Sequence, residues 1–294
     1  MNRAELHRPS GSLSSGPWSV ELTAEQAGWS WTSLRVLHLD GGGSITLASG
    51  EEELLVLPLE GAVTVDCGSE RFELAGRESV FAATTDFAYL GRHSVATLAS
   101  AGGGRIALPG AKARRDLPPR YAPASDAAIE LRGAGSCSRQ INNLCLPGVF
   151  EADRLIVCEV LTPAGNWSSY PPHKHDESRP GESELEEIYY FEVAGSSAGP
   201  GIAYQRVYGT PERPLDLLAE VRDGDVVLVP HGWHGPSMAA PGYDLYYLNV
   251  MAGTGERAWL ICDDPAHAWV RSTWVGKEVD ARLPFYDLAA PGTT

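Results

Sequence analysis

Cysteine is scarce and poorly placed for pairing: five residues, Cys67, Cys137, Cys145, Cys158 and Cys262, with no CxxC spacing. An odd set of this kind argues against a disulfide framework and against a thiolate zinc site. Reduced thiols suit a cytoplasm. No apolar run approaches the ~20 residues that cross a bilayer as a helix. The opening MNRAELHRPSGSLSSGPW has no apolar core of the signal-peptide kind, so a cytoplasmic location is expected. Basic residues are outnumbered, 23 Lys and Arg against 38 Asp and Glu, for a net charge of −15. Duplex binding needs a basic stripe to neutralise phosphates, and an anionic lipid surface needs the same, so neither nucleic acid nor membrane is expected as a partner. A small anionic ligand remains compatible, because one local Lys or Arg can dominate a pocket. Helical periodicity is scarce as well; PLDLLAEV (214–221) allows a turn or two.

Turn residues between short apolar runs fill the chain instead. Gly (32) and Pro (21) exceed a sixth of the 294 residues, which favours a turn-rich β protein of one large or two medium domains. Residues 1–17 are polar and read as a flexible arm or a strand leading into the first domain. SLRVLHLD (33–40), GSITLA (43–48), EELLVLPLEG (52–61), AVTVDC (62–67), ERFELA (70–75) and SVFAA (79–83) read as strands, Val, Leu, Phe and Thr alternating with polar residues. GAKARRDLPPRYAPAS (110–125) has no periodicity and reads as a linker or crossover. A second strand series follows: RLIVCEVLTP (154–163), EEIYYFEVA (186–194), GIAYQRVYG (201–209), DVVLVP (225–230) and DLYYLNVMAG (244–253). The segment from about 256 reads as irregular. Each half carries an acidic stretch entering an apolar strand that ends near Gly, then a Gly-led strand into a hairpin. This weak duplication points to an all-β chain of two tandem barrels. The divisions are an arm at 1–17, a first barrel with its linker at 18–125, and a second barrel with a C-terminal extension at 126–294.

The second series carries the chemistry. In WSSYPPHKHD (167–176), strand alternation points His173 and His175 to one side, a ready pair of metal ligands. In EEIYYFEVAG, Glu187 enters an apolar strand on the same face as Tyr189, Phe191 and Val193, where a carboxylate is costly unless paired or bound to a cation. Glu186 and Glu192 fall on the opposite face and are expected to be solvated. In DGDVVLVPHGWHGPS, His234 follows a tight bend at Pro230 and Gly232, with His231 as a bystander. Four of the eight histidines lie between 173 and 234, and the expected metal set is His173, His175, Glu187 and His234.

PPHKHD, LEEIYYFEVAG and DGDVVLVPHGWHG together resemble the two motifs of the cupin superfamily. The resemblance implies a three-His, one-Glu metal site inside a jelly-roll barrel. The eleven residues between His175 and Glu187 exceed the usual cupin spacing and point to a subgroup. WSSYPPHKHD, LEEIYYF, QRVY, VRDGDVVLVPHGWHGPSMAAPGYDLYYLNVMAG and the downstream RAW closely resemble the 5-deoxy-glucuronate isomerase family of myo-inositol catabolism. That family is a bicupin whose first barrel lacks the metal motif; here residues 30–108 hold only His38 and His93. The resemblance implies an aldose–ketose isomerase that makes 2-deoxy-5-keto-gluconate. A non-catalytic sugar-acid-binding bicupin and a metal-dependent cupin dioxygenase stay open as alternatives.

Ketol isomerisation moves a proton between adjacent carbons, and a divalent cation beside the carbonyl and hydroxyl acidifies both. Three imidazoles and a carboxylate suit Zn, Mn, Fe, Co or Ni; zinc is the first expectation, since the chemistry needs no redox. Glu187 and Tyr247 are the candidate catalytic residues, with Tyr247 able to act as acid or base or to be a core aromatic. The expected substrate is a small sugar acid. Arg206 is the candidate anchor for its carboxylate if the face it shares with Tyr204 and Tyr208 points inward. Lys174, Asn249 and Tyr189 are further candidates, Lys174 with the alternative of a surface lysine. Trp167 and Trp233 read as a pocket wall or as core. Self-association into a homo-oligomer is left open.

Overall fold

The computed structural model describes residues 3–196 and 199–287; the end of the expected C-terminal extension lies outside the described residues. Two antiparallel β-sheet systems dominate. The first has nine strands, whose central path runs Arg120–Ala122, Phe87–Leu90, Glu52–Cys67, Gly104–Lys112, Thr32–Leu39 and Trp18–Leu22. The second barrel pairs a seven-stranded sheet with a six-stranded one. The larger sheet runs His7–Arg8, Val226–Val229, Glu186–Val193, Leu245–Ala252, Ile156–Thr162, Arg139–Cys145 and Ala128–Arg132. The smaller runs Asp216–Val221, Ala203–Tyr208, Trp233–Ala239, His173–Lys174 and Cys262–Asp263, with Trp167–Ser168 on the edge of Trp233–Ala239. The architecture is two jelly-roll barrels.

EELLVLPLEG and AVTVDC form one strand rather than two. Glu52–Cys67 pairs with Gly104–Lys112 along its first half and with Glu70–Arg77 and Val95–Ser100 along its second. It bends at Gly61, whose φ is +80° and where a Cβ would lie 2.4 Å from the Gly103 carbonyl oxygen. Only glycine allows both the conformation and the close approach. The first half is buried on both faces. Leu54 and Val56 fill the first barrel with Leu37, Ile106 and Leu108. Leu55, Leu57 and Leu59 point the other way and join the core of the second barrel with Ile188, Tyr190 and Leu248.

That junction corrects two expectations. Glu186 and Glu192 are not solvated, because the first barrel covers their face. Glu186 accepts the backbone N–H groups of Ser30, Trp31 and Thr32 at 2.8–3.1 Å. Glu192 accepts both guanidinium arms of Arg105, at 2.7 and 3.0 Å. In return Glu53 of the first barrel accepts N–H groups from Asp153, Arg154 and Leu155. Arg77 and Glu159 form a fully buried pair across the junction.

Other segments also differ from their sequence reading. His7–Arg8 pairs with Val226–Val227, so the arm adds a strand to the second barrel rather than leading into the first. SVFAA is a turn, with Val80 buried in the junction. PLDLLAEV is a strand, Asp216–Val221, because Leu217, Ala219 and Val221 follow period two and face inward. Part of the 110–125 stretch, Arg120–Ala122, pairs with Phe87–Leu90.

Candidate active site

The smaller sheet of the second barrel sets His173 directly opposite His234. Across the barrel, Glu187 is in register with Val229 and Met251, and alternation turns it inward. One ligand nitrogen from each of His173, His175 and His234 lies within 4.8 Å of the others. Glu187 Oε2 lies 3.1 Å from Nε2 of both His175 and His234. All four side chains are buried. His234 Nδ1 donates to the Gly232 carbonyl at 3.2 Å, which fixes the tautomer and leaves the Nε2 lone pair facing Glu187. That Nε2 is close to Glu187 but satisfies no hydrogen-bond geometry, and His175 Nδ1 also lacks a partner. His175 Nε2 hydrogen-bonds Glu187 Oε2 at 3.1 Å, but the unpartnered His234 Nε2 beside a carboxylate in a dry interior is costly, and a cation there removes the cost. The N₃O donor set fits a divalent transition metal. Among the described residues no other group of three or more such side chains comes together.

Burial and the imidazoles of His234 and His175 push His173 well below the usual histidine range, so it is a neutral ligand at pH 7. Burial alone would raise the Glu187 carboxyl, but the imidazoles around it, with His175 Nε2 donating to Oε2, outweigh it and hold it down to about 2. The carboxylate is therefore ionised, as a ligand must be.

Above this set lie two phenols. The Tyr189 and Tyr247 rings are 5.0 Å apart. Tyr247 Oη is 3.0 Å from Ser168 Oγ and 3.1 Å from Ser169 Oγ, and Ser169 Oγ is 3.4 Å from Tyr189 Oη. Burial raises both phenols, so they hold their protons at neutral pH. Ser169 reaches them from a left-handed conformation, φ +46°, rare for a residue with a Cβ. Opposite it, Gly235 has φ +102° and a Cβ there would lie 1.8 Å from the Ser169 carbonyl oxygen. Asn249 also faces inward, its Nδ2 buried without a partner. Ser168 and Ser169 were not singled out from sequence, although WSSY immediately precedes the first ligand.

Several candidates lie elsewhere. Arg206 is on the outer face of Ala203–Tyr208; Ala203, Gln205 and Val207 are the buried residues. It pairs with Asp216 and stacks 5.1 Å from the centre of the Tyr208 ring. Arg206 therefore does not face the barrel interior with the histidines; it lines an outer cavity of about 410 Å³ with Trp167, Tyr170, Tyr208 and Asp264. Lys174 does turn away from its neighbours, yet it is buried rather than at the surface: its ammonium contacts Asp176 at 2.6 Å, Glu182 at 2.7 Å and Glu177 at 3.3 Å. Those carboxylates neutralise it. Trp233 lies under this cation, 5.6 Å away, and Trp167 packs on Tyr170 outside the barrel. His231, His38 and His93 stand apart from the three-His group.

A β protein of two jelly-roll barrels with an interior set of three histidines and a glutamate is a two-barrel cupin. Residues 6–270 match the KduI/IolB family, and the chain belongs to it. It is 40% identical over 254 residues to a 5-deoxy-glucuronate isomerase of Geobacillus kaustophilus, covering 85% of this chain and 90% of that one. It is 39% identical over 253 residues to the 5-deoxy-glucuronate isomerase of Bacillus subtilis strain 168, covering 85% and 91%. The crystal structure of an IolB-like protein from Salmonella typhimurium superposes with a TM-score of 0.83 at 35% identity, over 90% of this chain and 99% of that one. An oxalate decarboxylase of Lactobacillus farciminis superposes with a TM-score of 0.63 at 12% identity, over 88% of each chain, and shares the fold.

Proposed function

We propose that this protein is a metal-dependent aldose–ketose isomerase that converts 5-deoxy-glucuronate to 2-deoxy-5-keto-gluconate in myo-inositol catabolism. The observation that carries the reading is the identity of about 40% with 5-deoxy-glucuronate isomerases across 85% of the chain. The interior site supports it chemically. His173, His175, Glu187 and His234 would hold a divalent cation, zinc in the first instance, with Mn, Fe, Co or Ni able to replace it. Such a cation supplies Lewis acidity to a neighbouring carbonyl and hydroxyl.

The chain's own residues supply the rest. The phenols of Tyr189 and Tyr247 remain protonated and donate hydrogen bonds to substrate oxygens. Ser168 and Ser169 hold Tyr247 by its hydroxyl, and Ser169 links it to Tyr189, so the two phenols are oriented together toward the substrate oxygens. Asn249 Nδ2 offers one more donor. The barrel interior excludes bulk water, which strengthens each of these contacts. Five free thiols support a reducing, cytoplasmic setting, and no helix is long and apolar enough to cross a membrane.

Turnover of 5-deoxy-glucuronate by purified, metal-loaded protein, followed by NMR under anaerobic conditions, tests the reading. We expect the ketose product without O₂, loss of activity on chelation, and recovery with Zn or Mn. Strict dependence on O₂ would point to a dioxygenase, and binding without turnover to a sugar-acid-binding protein.

A further inference from the structure

Arg206 faces away from the histidines, and the cations inside the second barrel offer another partner for the acid end of the proposed substrate. The edge strand Ala128–Arg132 and its neighbour Arg139–Cys145 set Arg132 directly opposite Arg139. Successive strands pair Ile141 with Val160 and Val160 with Tyr247, which places Ile141, and Arg139 two positions before it, on the Tyr247 face. Both arginines therefore project into the barrel that holds Glu187, Tyr189 and Tyr247. Two like charges opposite one another on paired strands repel unless something negative lies near them.

The charges do not cancel. Arg132 is paired with Glu130 at 2.6 and 2.7 Å. Arg271, from the C-terminal 3₁₀ segment, is paired with Asp263. Arg139 is 4% exposed, and its recorded partners among the described residues are neutral: the carbonyls of Cys137 and Tyr170, at 3.0 and 3.4 Å, and the Trp274 ring, 5.5 Å away. Burial first, then repulsion from Arg132, lowers the Arg139 guanidinium to about 10. At pH 7 it is still a cation. Glu130 attracts both Arg132 and Arg139, so the two guanidiniums share one carboxylate and one positive charge is in excess beside a buried strand; that excess is costly, and an anion that binds offsets it. A cavity of about 360 Å³ is lined by Arg132, Trp259, Ile261, Asp263 and Arg271, and Arg139 stands behind its wall as the cross-strand partner of Arg132. Asp263 pairs with His173 through the backbone, so the cavity adjoins the strand that bears the first metal ligand.

We infer that Arg139, flanked by Arg132, is the specificity residue that holds the substrate's carboxylate, while the aldehyde end lies toward the histidines and Glu187. The inference rests on the isomerase reading for the identity of the acid, but not for the presence of an anion site. An anchor remote from the reacting carbons binds ground and transition states alike, so it acts on KM and spares kcat.

The test uses full-length, metal-loaded wild type, Arg139→Gln and Arg139→Lys. Binding by calorimetry and turnover by NMR are measured with 5-deoxy-glucuronate and with 5-deoxy-glucose, which has a neutral CH₂OH in place of the carboxylate. Arg139→Gln is expected to weaken binding and kcat/KM for the acid about 100-fold, as loss of a buried charge partner does. The change should lie in KM, and the neutral sugar should change no more than about twofold. Arg139→Lys should recover part of the loss. Equal losses on both sugars, an unaffected acid, or a wild type that binds neither would overturn the assignment. Arg139-dependent preference for the acid without any turnover would leave this site standing and remove the isomerase reading instead.

Discussion

At Glu187 a single carboxylate oxygen faces two imidazole nitrogens at the same 3.1 Å distance, with His173 close behind. Metal analysis checks that this group acts as a unit. His173→Ala should fall well below one equivalent per chain, while His231→Ala, a histidine outside the group, should keep it. Full occupancy in the first variant, or loss only in the second, would refute the ligand set. These four residues were legible in the sequence because HxH, a carboxylate on an apolar strand and a histidine after a Gly bend are each local patterns. Arg206 misled because its two tyrosine neighbours suggested a pocket face. Ala203 and Val207 set the parity of that strand and turn Gln205 inward instead. Arg139 was not singled out because an arginine that must share the Glu130 carboxylate with Arg132 has no local sequence signature.

At the scale of elements, the eleven residues that separate His175 from Glu187 form a hairpin, Asp176–Arg179 against Glu182–Glu184. Its first residue works as a clamp. Asp176 accepts from Lys174 at 2.6 Å, from Arg213 at 3.0 Å and from the Gly232 backbone N–H at 2.9 Å. It thereby joins the strand of His173 to the bend that presents His234. Such supporting contacts typically change metal affinity by about 10–100-fold. We expect Asp176→Ala to weaken zinc by that amount in a chelator competition, with an unchanged far-UV circular dichroism spectrum. Unchanged affinity would show that the bend holds itself. The hairpin was visible in the sequence only as an acidic gap of unusual length, since its strands are short and polar and its partners come from distant segments. The strand at 216–221 was not recognised as one, because the adjacent Leu217 and Leu218 blur its period-two alternation.

Across the whole molecule, the two barrels are joined by buried charge as well as by leucines. Arg77 meets Glu159, which also accepts from Tyr246 at 2.9 Å and from Asn142 at 3.0 Å. Arg77→Met removes the one cation in this group and leaves Glu159 buried. The expected loss is about 3–5 kcal/mol in chemical denaturation, and a loss below 1 kcal/mol would mean that water reaches the junction. Two barrels were readable from the duplicated pattern. The junction was not, because Glu186 and Glu192 alternate as solvent-facing residues do, and only the first barrel's placement reveals that their face is covered.

The short strand His7–Arg8 has a consequence for the order in which the protein is made. His7 also bonds Asp225, 218 positions later in the chain, at 2.8 Å. At ~5–20 residues per second, translation delivers that partner about 10–45 s after His7 has left the ribosome. During this interval the residues of the first barrel can assemble, but Leu55, Leu57 and Leu59 have nothing to cover them. The nascent chain thus carries an apolar sheet face and an unpaired opening strand until the second barrel emerges, and this is the stage at which chaperones would find the most to bind.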